Sequence, residues 1–151
     1  MTSTTSGPND GPDSGPDHRI TVGGIVVDPL LVLVAGKSRI NAVVVSRIVE
    51  RCGLRPVMEQ PETAFRSLRG VLPALVILDG GTANADCAEL IEPLARARSA
   101  AGRPTPGVIL LSTGNFDAID PARAKVIDAV VSKPILPEVL QPVVRRLVGA
   151  E

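Results

Sequence analysis

Three stretches of this chain are apolar almost to their last residue and have the length of a strand. They are "LLVLVA" over residues 30 to 35, "ALVILD" over 74 to 79 and "GVILLST" over 107 to 113. A strand that faces water on one side alternates apolar and polar residues, whereas a strand covered on both faces does not. These runs therefore predict a parallel sheet buried between two layers of helix. The residue supply agrees. Apolar residues make up 44% of the 151, yet only Phe65 and Phe116 are aromatic, so the core has to be built from Val, Leu, Ile and Ala.

Between the runs lie helical patterns. Residues 39 to 52, "RINAVVVSRIVERC", place Ile40, Val43, Val44, Ile48 and Val49 on one expected apolar face, and Gly53 stops the helix. "RPVMEQ" is a short second strand, and "PETAFRSLRG" a helix opened by Pro61. "ADCAELIEPLARARSA" is helical, with Pro93 either kinking it or marking a late start. "DPARAKV" is a short helix, "DAVVSKPI" a last strand, and "LPEVLQPVVRRLVG" a final helix with Pro142 as a flaw. Five alternations of strand and helix predict a doubly wound α/β sandwich with a five-stranded parallel sheet. Residues 1 to 18 are Ser, Thr, Gly, Pro and Asp with Met1, Asn9 and His18, and the expectation for them is a disordered tail. Residues 19 to 29 read as a linker or a short extra strand, and 30 to 148 as the folded domain.

Charge excludes some functions. Lys plus Arg and Asp plus Glu each number 16, so no basic excess points to nucleic acid or an anionic membrane. No stretch is apolar for long enough to span a bilayer, and Cys52 and Cys87 have no metal-ligand spacing. The expectation is a cytoplasmic protein with reduced thiols.

In a doubly wound sheet the functional site lies beyond the carboxyl ends of the strands. The residues placed there are Gly36 and Lys37, Asp79, Ser112 and Thr113, and Lys133. Gly36-Lys37-Ser38 suggests a phosphate-binding loop, but that loop needs a glycine five residues before Gly36, where Leu31 stands, and the intervening stretch is strand. A P-loop enzyme is therefore a remote reading. Asp79 ends a buried strand, where an unpaired carboxylate is costly. Lys133, beside Pro134, is the natural charge partner.

Together these residues give a chain that resembles the response-regulator receiver domain, the phosphoryl-accepting module of two-component signalling. It looks nearest to the receivers of hybrid histidine kinases. Their V-A-E-D-N-x-I-N frame and E-R-x-G helix ending correspond to Val34-Ala35-Gly36-Lys37-Ser38-Arg39-Ile40-Asn41 and Glu50-Arg51-Cys52-Gly53. The resemblance covers about residues 30 to 148 and implies a flavodoxin-like sheet in the order 2-1-3-4-5. It implies Asp79 as the phosphoacceptor position, Thr113 (or, second, Ser112) as the switch hydroxyl, and Lys133 as the charge partner, with Lys133-Pro134 in cis.

The departures are specific. Gly36 and Lys37 replace the acidic pair that holds Mg²⁺, Val130 replaces the aromatic switch for which Phe116 is a substitute candidate, and Ala83 replaces a proline. The expectation is weak or absent Mg²⁺ binding and no other cofactor, with Lys37 beside Asp79 as an internal cation. Two functions follow from the resemblance. One is a stand-alone bacterial receiver in a phosphorelay, not an enzyme, with atypical or lost Mg²⁺-dependent phosphorylation at Asp79. The other is a pseudo-receiver that is never phosphorylated and binds proteins constitutively. Either meets a histidine kinase, a phosphotransfer protein or another signalling protein through the face of the fourth helix, fifth parallel strand and fifth helix. A homodimer through that face is among the expected assemblies.

Overall fold

The structure is a computed structural model, and it describes residues 19–22, 24–81, 84–102, 105–113 and 121–149. The chain runs β1 (Ile20–Val22), β2 (Ile25–Ala35), α1 (Arg39–Arg51), β3 (Arg55–Glu59) and α2 (Pro61–Ala64). It continues through β4 (Leu72–Asp79), α3 (Ile91–Ala101), β5 (Gly107–Ser112), α4 (Pro121–Val126), β6 (Ala129–Ser132) and α5 (Pro137–Val148). Pro93 marks a late start, because it falls in the first turn of α3, where its missing N–H costs nothing. The tail of residues 1–18 lies outside the described residues.

β2 pairs in parallel with both β3 and β4, β4 with β5, and β5 with β6. The spatial order of the five parallel strands is thus β3-β2-β4-β5-β6, the 2-1-3-4-5 order. A sixth strand is added to that plan. β1 runs antiparallel to the start of β2, from Ile20 opposite Val27 to Val22 opposite Ile25. β2 is therefore longer than the apolar run: it begins at Ile25, and residues 25–29 extend it instead of linking to it.

The extension carries a register shift against β4 between Asp28 and Val32. Pro29, which has no N–H to give a ladder, sits in that irregular stretch. Asp28 is buried there; its carboxylate accepts the Leu30 N–H at 3.0 Å and pairs with the Arg55 guanidinium. At the far side of the sheet Asp128 does similar work, accepting the Val108 N–H at 2.8 Å and both arms of Arg98 at 3.0 and 3.1 Å. That fork ties α3 to the start of β6.

Alternation of side chains across the sheet divides the core in two. One half combines Val32, Val34, Leu75, Ile77, Ile109, Leu111 and Val131 with α1 and α5, through Val45, Ile48, Val49, Leu140 and Val144. The other combines Leu33, Val76, Leu78, Val108 and Leu110 with Ala64 of α2, Leu94 and Ala97 of α3, and Val126 of α4. The apolar face expected for α1 needs correcting. Ile48 and Val49 are buried as expected, but Val45 takes the centre of the face, while Val43 and Val44 are exposed and Ile40 is 78% exposed. Three consecutive valines leave the pattern unable to choose which one points inward.

That difference is measurable. Ile48→Ala should cost about 2–5 kcal/mol in urea unfolding, whereas Ile40→Ser should stay within about 0.5 kcal/mol of the parent. A larger loss for Ile40→Ser would return the buried face to the one the spacing alone suggests.

Candidate functional site

Buried parallel strands deliver their last residues to one edge, and among the described residues that edge carries one buried carboxylate. Asp79 is the final residue of β4 and only 5% exposed. Three elements supply its partners. Lys133, which follows β6, brings Nζ to 2.6 Å from Oδ1. Gly81, just past β4, donates its N–H to the same oxygen at 3.1 Å, from a left-handed backbone with φ of 73°. Asn41, in the first turn of α1, donates Nδ2 to Oδ2 at 3.0 Å. The turn that presents Asn41 is set by Ser38, whose Oγ caps the helix by accepting the Asn41 N–H at 3.2 Å. The Lys133–Pro134 bond is cis, as is Thr105–Pro106.

These contacts set the charge state. Burial pushes the Asp79 carboxyl up; the hydrogen bonds from Lys133, Asn41 and Gly81, with the Lys133 charge, push it down and prevail, so it lies below its ordinary value of 3.8. Beneath it, the buried Cys87 thiol donates to the carbonyls of Asp79 and Ala35, at 3.3 and 3.5 Å. Burial first, and then the charges of Asp79, Asp86 and Glu89, push that thiol up to about 12. It stays protonated at neutral pH, and Cys52 is also a free thiol.

The acidic pair is not merely absent from the sequence; one of its positions has no room. A Cβ built on Gly36 would lie 2.7 Å from the Asp79 Cβ. That neighbour is the rigid root of a buried side chain, so any larger residue at position 36 must displace Asp79 or the strand. Gly36→Glu is consequently not a simple way to restore a carboxylate. Lys37 also departs from expectation. Its side chain is 61% exposed and its Nζ is 4.0 Å from Oδ1 of Asp86, not beside Asp79. The backbone of Gly36 already lies against Asp79, so the chain has passed the carboxylate when it reaches Lys37 and directs that side chain to the loop. Among the described residues the cation that neutralises Asp79 is Lys133, and the Lys37–Asp86 pair is long and solvated enough to contribute little.

Of the other expected residues, Thr113 lies just past β5 and is exposed, with its N–H donating to Asn84 Oδ1 at 2.9 Å and its carbonyl accepting from Asn84 Nδ2 at 3.3 Å. Ser112 is fully buried, with an Oγ that has no hydrogen-bond partner. Val130 is 38% exposed on β6. Phe116 and Ala83 lie outside the described residues. Asn41 and Asn84 received no role from the sequence. Asn41 was legible in principle, since the third residue of a helix that follows β2 faces the neighbouring strand end. Asn84 is fixed by loop geometry that no pattern announces. Among the described residues, no group of three or more His, Cys, Asp or Glu side chains could hold a metal ion, and no helix is long and apolar enough to cross a membrane.

The pH dependence of this site follows from its partners. A carboxyl depressed in the folded state contributes stability that is present above its unfolded value and lost as pH falls through the folded one. Lys133→Met leaves Asp79 buried without its cation and should cost about 3 kcal/mol at pH 7. The gap between parent and variant should narrow as pH falls, because the unpaired carboxyl takes up a proton first, and should be smallest once pH lies below the parent's depressed value and Asp79 is protonated in both. Equal losses at pH 7 and pH 3, in urea titrations at both values, would mean that Lys133 stabilises the fold by packing and not through the Asp79 charge.

No family model matches the sequence, and no curated protein matches it. Solved structures do. The chain is similar to a pilus assembly-related protein from Burkholderia pseudomallei, at 19% identity and TM-score 0.60, covering 86% of this chain and 93% of that one. It is similar to a response regulator from Thermotoga maritima, at 22% identity and TM-score 0.59, covering 79% and 97%. The pseudo-receiver domain of the CikA protein matches at 20% identity and TM-score 0.57, covering 77% and 94%. Strand order and structural likeness agree: the chain has the fold of the response-regulator receiver domain.

Proposed function

We propose that this protein is a receiver-type signalling module that acts by protein–protein contact and keeps Asp79 as a permanently ion-paired carboxylate. Asp79 is the phosphoacceptor position of the resemblance, Lys133 its charge partner and Thr113 the switch position, and the pseudo-receiver reading is preferred. The observation that carries the preference is the contact at Gly36, where a Cβ would stand 2.7 Å from that of Asp79.

The chemistry runs as follows. Phosphoryl transfer depends on positioning and on a cation that spreads the developing charge. Mg²⁺ demands several oxygen ligands in near-octahedral geometry. Gly36 offers none, and Lys37 offers an ammonium directed toward Asp86. The remaining carboxylate, Asp79, already accepts from Lys133 and Gly81 on one oxygen and from Asn41 on the other. This donor set does not fit Mg²⁺, and a carboxylate so engaged is a poor nucleophile.

What remains for function is surface. Val130 on β6 and the exposed Leu136 and Val139 at the start of α5 offer apolar area along the α4–β6–α5 side, and Ile40 and Val44 offer more on α1. The partner is a histidine kinase, a phosphotransfer protein, another signalling protein or a second copy of the chain. Val130 has no second rotamer state comparable to an aromatic ring's swing, which supports binding that does not depend on phosphorylation.

The test is a Mg²⁺ titration followed through the amides of residues 35–38 and 79–81, with intact mass after incubation with a small phosphodonor. The expected result is no saturable shift at low millimolar Mg²⁺ and no gain of a phosphoryl group. Site-specific shifts together with a phosphorylated species that Asp79→Asn abolishes would establish an ordinary phosphorylatable receiver.

A further inference from the structure

The loop that leaves β4 reaches the end of the neighbouring strand through the side chain of Asn84. The parallel ladder between β4 and β5 ends at Asp79 opposite Leu111, with Gly80 N–H donating to the Leu111 carbonyl at 3.1 Å. Thr113 lies beyond the ladder's reach. Asn84 takes over: its Oδ1 accepts the Thr113 N–H at 2.9 Å, and its Nδ2 donates to the Thr113 carbonyl at 3.3 Å. A primary amide offers one acceptor and two donors on a short stem, so it pairs with Thr113 as a further strand residue would. Asp has no donor for the carbonyl, and the longer Gln would overreach.

The surrounding backbone is shaped for this contact. Asn84 has φ of 58°, a left-handed conformation that Asn tolerates better than other residues with side chains. Gly80 admits it: a Cβ there would fall 2.9 Å from the Asn84 Cα. On the other side, the Ser112 carbonyl accepts the Lys133 N–H at 2.9 Å. The segment carrying Thr113 is thereby held between the loop of Asp79 and the loop of Lys133, and the two loops are themselves joined by the Asp79–Lys133 pair.

We propose that Asn84 is a built-in clamp that fixes Thr113 and the exit from β5 in one position, whatever the state of Asp79. The resemblance makes Thr113 the switch position, so a phosphorylation-dependent change of state would have to move it. Here an amide supplied by the protein itself holds the backbone. The proposal rests on the phosphorylation-independent reading above and adds the device that keeps the module in a single state.

Two variants test it on the full chain. Asn84→Gly keeps the left-handed backbone and removes the amide; Asn84→Asp keeps the size and turns the donor into an acceptor. Amide hydrogen exchange of Thr113 should be roughly tenfold faster in Asn84→Gly than in the parent, whereas Asn84→Asp, which keeps the oxygen that accepts the Thr113 N–H, should hold it near the parent rate; Val76 and Ile77 at the centre of β4 exchange as before in both. Unchanged exchange at Thr113 in Asn84→Gly would overturn the clamp, and so would equal acceleration at Val76 and Ile77, which would report a general loss of stability. Adding Mg²⁺ and beryllofluoride, a phosphoryl mimic, to the parent judges the other reading separately. Shifts at residues 79–81 would defeat the phosphorylation-independent function and leave the exchange comparison intact.

Discussion

A carboxylate at the end of a strand covered on both faces cannot keep its hydration shell, and everything around Asp79 follows from replacing that shell. Lys133 supplies the countercharge from beyond β6, Asn41 a donor from the start of α1, and Gly81 a backbone N–H from the loop after β4. Each donor comes from a different element, so satisfying one side chain fixes three loops relative to each other. The cost of leaving any of these partners out is the desolvation of a buried charge, which is larger than the net worth of a typical hydrogen bond.

Geometry at position 36 then decides what this arrangement can do. The strand β2 passes so close to Asp79 that only a glycine fits. Lys37, the next residue, directs its side chain outward toward Asp86. Among the described residues, the Lys133 ammonium supplies the countercharge of Asp79. An ammonium satisfies the resting carboxylate well, but it offers an incoming phosphoryl oxygen no coordination sphere. On the proposed reading, this pairing keeps Asp79 a resting carboxylate and not a phosphoryl acceptor.

Much of this was legible in the residues. The three fully apolar runs located the central strands β2, β4 and β5 and the layering, since only burial on both faces tolerates such runs; the alternation with helical patterns supplied the other two parallel strands, and the polar residues at the strand ends located the site. Other features were not legible, for identifiable reasons. Val43-Val44-Val45 made the inward face of α1 ambiguous. β1 was legible only as one of two alternatives for residues 19 to 29, a short extra strand or a linker, because three residues before a glycine are too few for a pattern. Lys37 follows Gly36 in sequence, and sequence adjacency could not reveal that the backbone at Gly36 had already used the space beside Asp79. Asn41 stood inside the recognised motif without a role, because its reach to Asp79 depends on where the first turn of α1 lies over β4. Asn84 acts through a left-handed loop residue that carries no periodicity.

The most direct measurement of the central claim is a carbon-detected NMR titration of the Asp79 side-chain carboxyl, run with and without Mg²⁺. The account predicts a midpoint below the ordinary 3.8, set by Lys133 and its two fellow donors, and a curve that low millimolar Mg²⁺ leaves in place. A midpoint above 3.8 would mean that burial outweighs the donors and that Asp79 is not held as a paired anion. A curve displaced by Mg²⁺ would mean that the carboxylate still binds the ion.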